Sequence, residues 1–271
     1  MFEMLGLVLK KTAEEYSANI KVAVSYLLLL VFVFIFVLFQ DFYIASGTVF
    51  LSYSSSVSVL GALLVGLVFL YFFSFFVSLT IYSVRRDVQH MSLDEYWNEL
   101  LRGSSLKIFL FYLGLAILFY ILSVLGLQFG ISLSIIAAID LIVAFVLMYV
   151  PQSIVLDEDS ISFGIGESIG FVLAQPLLAI SAVLIGSFIL AIIFFIEFGL
   201  DLAGFPGNFV SLVIVLVLLL PLIEQMKSYS YIMKSDLLRS VEYYQSKAIP
   251  APKPMKINAT RLREKNFGGK L

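Results

Sequence analysis

From Val22 to Phe39 the chain carries nothing more polar than Ser25 and Tyr26, and 18 such residues at ~1.5 Å each nearly match a hydrocarbon core of ~30 Å. Further apolar runs follow at 57–81, 108–127, 131–150, 177–200 and 209–226. A backbone crosses a bilayer only if its N–H and C=O groups are satisfied within the segment, so runs of this length predict helices. The fold class expected is an all-α integral membrane protein with six transmembrane helices. Composition agrees: of 271 residues, 61% are hydrophobic and 13% charged, and the mean hydropathy is +1.04, far from a soluble domain.

The charges orient these spans. Lys10, Lys11 and Lys21 precede the first, and Arg85, Arg86, Arg102 and Lys107 lie between the second and third. The remaining basic residues follow the sixth, so all 17 Lys and Arg fall on one side. The positive-inside rule then predicts a multi-pass protein of the cell membrane with both termini cytoplasmic. The net charge of −2 gives no reason to expect nucleic acid as a partner.

Polar segments divide the chain further. Residues 1–21 place Phe2, Leu5, Leu9, Ala13, Tyr16 and Ile20 at helical spacing, an amphipathic helix that either lies in the interface or packs on the bundle. The run after it is too long for a secretory signal peptide. Gln40–Ser56 reads as a small β-hairpin or an interfacial loop around Ser46-Gly47. In SLDEYWNELLR, Ser92 and Glu95 fit a capping box for a second amphipathic helix. Pro151–Pro176 reads as a short hairpin followed by a third such helix, with Glu167 and Ser168 at its start. Pro221 predicts a kink in the last span. A helical extension is expected over 227–249, then a Pro-containing basic tail over 250–271. With the six-span transmembrane domain over 22–226, the segments Met1–Tyr82, Ser83–Val150 and Pro151–Met226 thus each begin with an amphipathic helix and continue into a two-span hairpin, a pattern that raises a threefold repeat of about 70 residues.

Chemistry-bearing residues are few. There is no cysteine and one histidine, His90, which removes thiolate chemistry and most histidine-based metal sites. Asp140 stands in the middle of the fourth span, where a carboxylate costs ~3 kcal/mol on insertion scales, so it should be neutral, hydrated or hydrogen-bonded. Tyr71, Tyr120, Ser123 and Ser187 stand at comparable depth as its candidate partners. Two readings stay open: a proton or cation site in a transport path, or an interhelical hydrogen bond. No Lys or Arg falls inside a span, so no intramembrane ion pair is expected, and Glu197 and Glu224 read as interfacial residues in reach of water. Ala62 with Gly66, and Ala182 with Gly186, have the spacing of close helix contacts.

Asp157, Glu158 and Asp159 lack the spacing of a calcium loop and read as a solvated turn. With Glu167 they form the acidic part of an otherwise basic cytoplasmic face, a candidate surface for a partner or for the protein's own basic loop. Arg85, Arg86, Arg261 and Arg263 are candidate contacts for anionic lipid headgroups. No hydrolase, zincin, phosphate-loop or dinucleotide motif occurs, so neither enzyme activity nor a cofactor or metal is expected.

The span ending at Pro151, then QSIVLDED, then Gly166-Glu167-Ser168 leading a helix into the next span, resembles the multi-pass membrane domain attached to some glycerophosphodiester phosphodiesterases and its largely archaeal six-helix relatives. The likeness covers mainly 150–180 and the span count. It implies the six-helix plan, and it carries over no catalytic residue because no phosphodiesterase domain is present. A non-enzymatic scaffold or assembly partner at the cytoplasmic membrane surface is the function expected, through a membrane-protein partner or a homo-oligomer. A small transporter or channel using Asp140 is the alternative.

Overall fold

The computed structural model describes residues 2–37, 41–45, 48–52, 56–89 and 103–233. The SLDEYWNELLR segment, His90, Arg102, most of 227–249 and the tail with Arg261 and Arg263 lie outside these residues. Helix α1 (Phe2–Ala18) turns at Asn19 into α2 (Ile20–Ser25), which passes through a tight turn at Tyr26–Leu29 into α3 (Leu30–Val37). The bend between the two arms is 71°. Strands β1 (Asp41–Ala45) and β2 (Thr48–Ser52) pair antiparallel. Then come α4 (Ser56–Gln89), α5 (Ser105–Gln128), α6 (Leu133–Val146), α7 (Val150–Leu156), α8 (Ile161–Ala174), α9 (Pro176–Leu202), α10 (Gly207–Ile214) and α11 (Leu220–Ile232). Val59–Arg86, Ser105–Gln128, Leu133–Leu156, Pro176–Leu202 and Gly207–Ile232 are each long and apolar enough to cross a membrane, and the bent α1–α3 unit would add a sixth. The chain is a membrane-embedded, predominantly helical protein.

Glycine closes the two turns at the end away from the basic residues. Gly130 at φ 72° and Gly204 at φ 78° take the left-handed conformation that ends a helix, and each lets the next residue's N–H reach back to the helix, Ile131 to the Gly126 carbonyl and Phe205 to that of Leu200. The antiparallel hairpins α5–α6 and α9–α10 result.

Two interior breaks are repaired from elsewhere in the chain. The span expected to end at Val150 instead breaks at Leu147–Tyr149 and resumes as α7, so 151–156 is a buried helix and not the arm of a short hairpin. Pro151 sits in its first turn, where a missing N–H costs nothing. The Ser168 hydroxyl donates to the Val146 carbonyl at 2.7 Å and accepts from the Tyr149 N–H at 3.2 Å, closing both groups that the break frees. Glu167 and Ser168 therefore lie mid-helix, and Ser160 is the N-cap, accepting from Phe163 N–H. In the last span a π-helical turn at Val215–Leu219 precedes Pro221, which has no N–H for the Val217 carbonyl four residues back. The Tyr16 hydroxyl donates to that carbonyl at 3.0 Å, tying α1 to the break.

Packing is concentrated at the end that carries Arg85, Lys107 and Lys227. Buried residues crowd 74–85 of α4, 149–155 at the α6–α7 break and in α7, and 224–233 of α11. At the opposite end α6 buries Ile136 alone among its 14 residues. A Cβ on Gly186 would meet Ile223 Cδ1 at 3.2 Å, so α9 and α11 approach closely at that point, whereas Gly66 faces open space.

Candidate functional site

Helix α11 continues the last span without interruption to Ile232, which carries Lys227 into the protein core three residues beyond Glu224. An i,i+3 spacing puts both side chains on one face, and Lys227 Nζ lies 2.6 Å from Glu224 Oε1. The other carboxylate oxygen accepts from Gln152 Nε2 of α7 at 2.9 Å. Both charged side chains are about nine-tenths buried. This corrects two expectations: Glu224 is not a water-facing residue, and an ion pair does form within a span. Their source is the same, the run's apparent end at Met226, which is a boundary of hydropathy and not of the helix.

Around this pair stands a polar shell. The Tyr26, Tyr112 and Tyr149 phenols lie within electrostatic reach of the Glu224 carboxylate, and Tyr26 shares a 3.0 Å hydrogen bond with Thr80. Ser228 donates back to the Glu224 carbonyl. Gln225, Gln152, Ser78, Tyr149 and Ser230 each keep at least one enclosed polar atom with no hydrogen-bond partner among the described residues.

The acidic turn is held by the protein itself. Arg85, buried on α4, donates to the Val155 carbonyl at 2.9 Å and to Glu158 at 2.6 Å. Tyr231 donates to Asp157, Ser153 donates to Asp159, and Lys107 donates to the Asp159 carbonyl. Asp157 and Glu158 remain exposed, so the turn is solvated on one side and clasped on the other. Arg85 is accordingly engaged by the protein itself. Arg86 is half-buried and donates to Asn19 at the α1–α2 bend.

The residues expected around Asp140 are not gathered there. Tyr120 is 70% exposed and Tyr71 43% exposed, Ser187 also faces outward, and none of them or Ser123 bonds to Asp140. They share its depth but stand on different helix faces. One carboxylate oxygen of Asp140 is enclosed without a partner among the described residues. Glu197, expected near water, is buried beside the α9–α10 turn, where Asp201 accepts from the Gly207 N–H at 2.9 Å. No cluster of metal-ligating side chains occurs among the described residues.

Compared with protein-family models, curated proteins and solved structures, the chain matches none.

Proposed function

We propose that the chain is a non-enzymatic polytopic membrane protein that acts as an assembly partner, with six spans, both termini cytoplasmic and the braced basic end at the cytoplasmic surface of the cell membrane. The observation that carries this is the contrast between the two ends. At the basic end, ion pairs and hydrogen bonds link α4, α5, α7, the acidic turn after it and α11 into one body. Toward the other end, α6 buries a single residue and offers its remaining faces to whatever lies beside it in the bilayer. Because the acidic turn is clasped internally, the assembly surface is the membrane-embedded flank of α6 and not the acidic face.

The chain has no cysteine, so single-cysteine variants at Leu133 and Leu141 report on that flank cleanly. Both positions are 67% exposed. A photo-crosslinker attached there in native membranes should capture a second copy or another membrane protein. Capture of lipid alone at both positions would reject the reading.

The threefold repeat belongs to the same proposal. Helix α1 packs on α11, at the end of the third unit, and α8 packs on α7, which continues the last span of the second, so both described leading helices rest on the unit before them. The middle leading helix lies outside the described residues. Anionic headgroups are the lipid partners proposed for the basic end, contacted by Arg86 and the tail residues Arg261 and Arg263.

The transport reading is favoured by a different observation from the one that raised it. A buried Glu–Lys–Gln centre ringed by phenols is a better solute or ion site than Asp140, since charged groups inside membranes mark such paths. Proteoliposomes in which neither protons, alkali cations nor small neutral solutes move would exclude it.

A further inference from the structure

Lys227 has three ammonium protons, and its partner among the described residues is Glu224 Oε1. Two protons are thus left to be satisfied in a site about nine-tenths buried. Acceptors without partners stand on both sides of the same seam. On the α7 side are Gln152 Oε1, whose amide nitrogen already binds Glu224, and the Tyr149 hydroxyl one helical turn before it. On the α11 side is Ser230, three residues beyond Lys227. The Tyr149 and Ser230 hydroxyls face each other across the seam, close enough to interact but without the geometry of a direct hydrogen bond. One residue along from Glu224, Gln225 is wholly buried with both ends of its amide unpartnered.

Leaving this many buried polar groups unmatched costs ~1–3 kcal/mol each, more than a helical membrane protein of this size tolerates without compensation. The charges of Glu224 and Lys227 cancel, so the missing partner is neutral. It must also accept from an ammonium and donate to carbonyl and hydroxyl oxygens. Water meets all of these conditions and is what a buried seam lined by two to four polar groups ordinarily holds.

We propose that the seam between the Tyr149–Gln152 side of α7 and the Lys227–Ser230 side of α11 is a binding site for internal water, which completes the shell of the Lys227 ammonium and links the ion pair to the Tyr149 phenol. This water lowers the desolvation cost of the pair and lets both charges persist in the core. It holds whether the protein acts by assembly or by transport.

Radiolytic hydroxyl-radical footprinting of the full chain in lipid nanodiscs, with oxygen-18 water added just before exposure, tests this. Tyr149 and Tyr229 are both fully buried and each packs in an apolar cluster, but only the Tyr149 hydroxyl lies on the proposed seam. Tyr149 should be modified several-fold faster than Tyr229, with delayed uptake of the heavy isotope as held water exchanges. Ser230→Ala and Lys227→Met should each lower Tyr149 modification toward the Tyr229 level in samples whose helical circular dichroism matches the parent. Equal modification of the two tyrosines in the parent overturns the proposal. So does Tyr149 modification unchanged in both variants, or one abolished by titration with chloride, which would assign the site to an anion.

Discussion

Replacing Glu224 by leucine is the most informative single change. Glu224 and Lys227 retain only 10% and 9% of their side-chain exposure, with 2.6 Å between Oε1 and Nζ. Removing one member of a buried pair leaves the other uncompensated, at ~3–5 kcal/mol. Glu224→Leu also orphans the Gln152 amide, held at 2.9 Å, which adds ~1–3 kcal/mol. Lys227→Met should be milder, because the carboxylate keeps its Gln152 donor and any water in the seam. Removing both charges together, as Glu224→Leu with Lys227→Met, eliminates the unpaired ion and should recover ~2–4 kcal/mol relative to the sum of the single changes. The assay is equilibrium unfolding in mixed micelles by titration with sodium dodecyl sulfate, followed by circular dichroism and extrapolated linearly. Single variants within ~0.5 kcal/mol of the parent, or a double variant equal to the sum of the singles, would refute the argument that the pair is a buried and coupled unit.

Other consequences are local. A Cβ on Gly207 would collide with the Glu197 backbone carbonyl and stand 2.8 Å from Asp201 Oδ1, so Gly207→Ala should destabilise by ~2–3 kcal/mol in the same titration. Gly126→Ala meets only the movable end of Ile136, at 2.6 Å from Cδ1, and should cost ~1 kcal/mol. Glu158 holds a φ of 60°, so Glu158→Gly relieves ~1 kcal/mol of backbone strain while losing a partly exposed ion pair worth ~0–1 kcal/mol, leaving stability nearly unchanged. Arg85→Met, by contrast, removes the buried donor to Val155 and should cost ~1.5–3 kcal/mol. Asp140→Asn should shift stability by under ~0.5 kcal/mol, since no described residue pairs with it.

What the sequence made legible follows from how far each signal reaches along the chain. An apolar run of about 20 residues is a property of one segment, so the span positions could be read directly. The centre could not be read that way, because Gln152 and Glu224 are 72 residues apart and Tyr16 and Val217 are 201 apart. A local signal existed even so: Glu224, Lys227, Ser228 and Tyr231 fall on one helical face, a polar stripe where the span was taken to end. The expectation about Asp140 failed for a geometric reason. Depth along a helix axis can be counted from sequence, but Tyr120 and Ser187 differ from Asp140 in rotation about that axis, which only packing determines. Ser168 shows the same limit from the other side, since its neighbours Gly166 and Glu167 gave no hint of the break it repairs.

The bilayer itself accounts for where the chain packs. Lipid tails are as apolar as leucine, so apolar helix faces gain little by leaving lipid for each other, and polar contacts weigh more heavily in deciding where helices meet. In this chain the described polar contacts between helices gather at the basic end: Arg85 with the α7 terminus, Gln152 with Glu224, Tyr231 with Asp157, Tyr26 with Thr80. The helices converge there, and α6 is the helix that buries least of itself beyond that end. Asp140 is the polar group that this gradient leaves on the sparsely packed side. Helix α6, with one buried residue, is the helix whose outer faces the chain's own described helices do not cover. That is why the flank of α6, and not the charged turn, is the surface on which assembly should be sought.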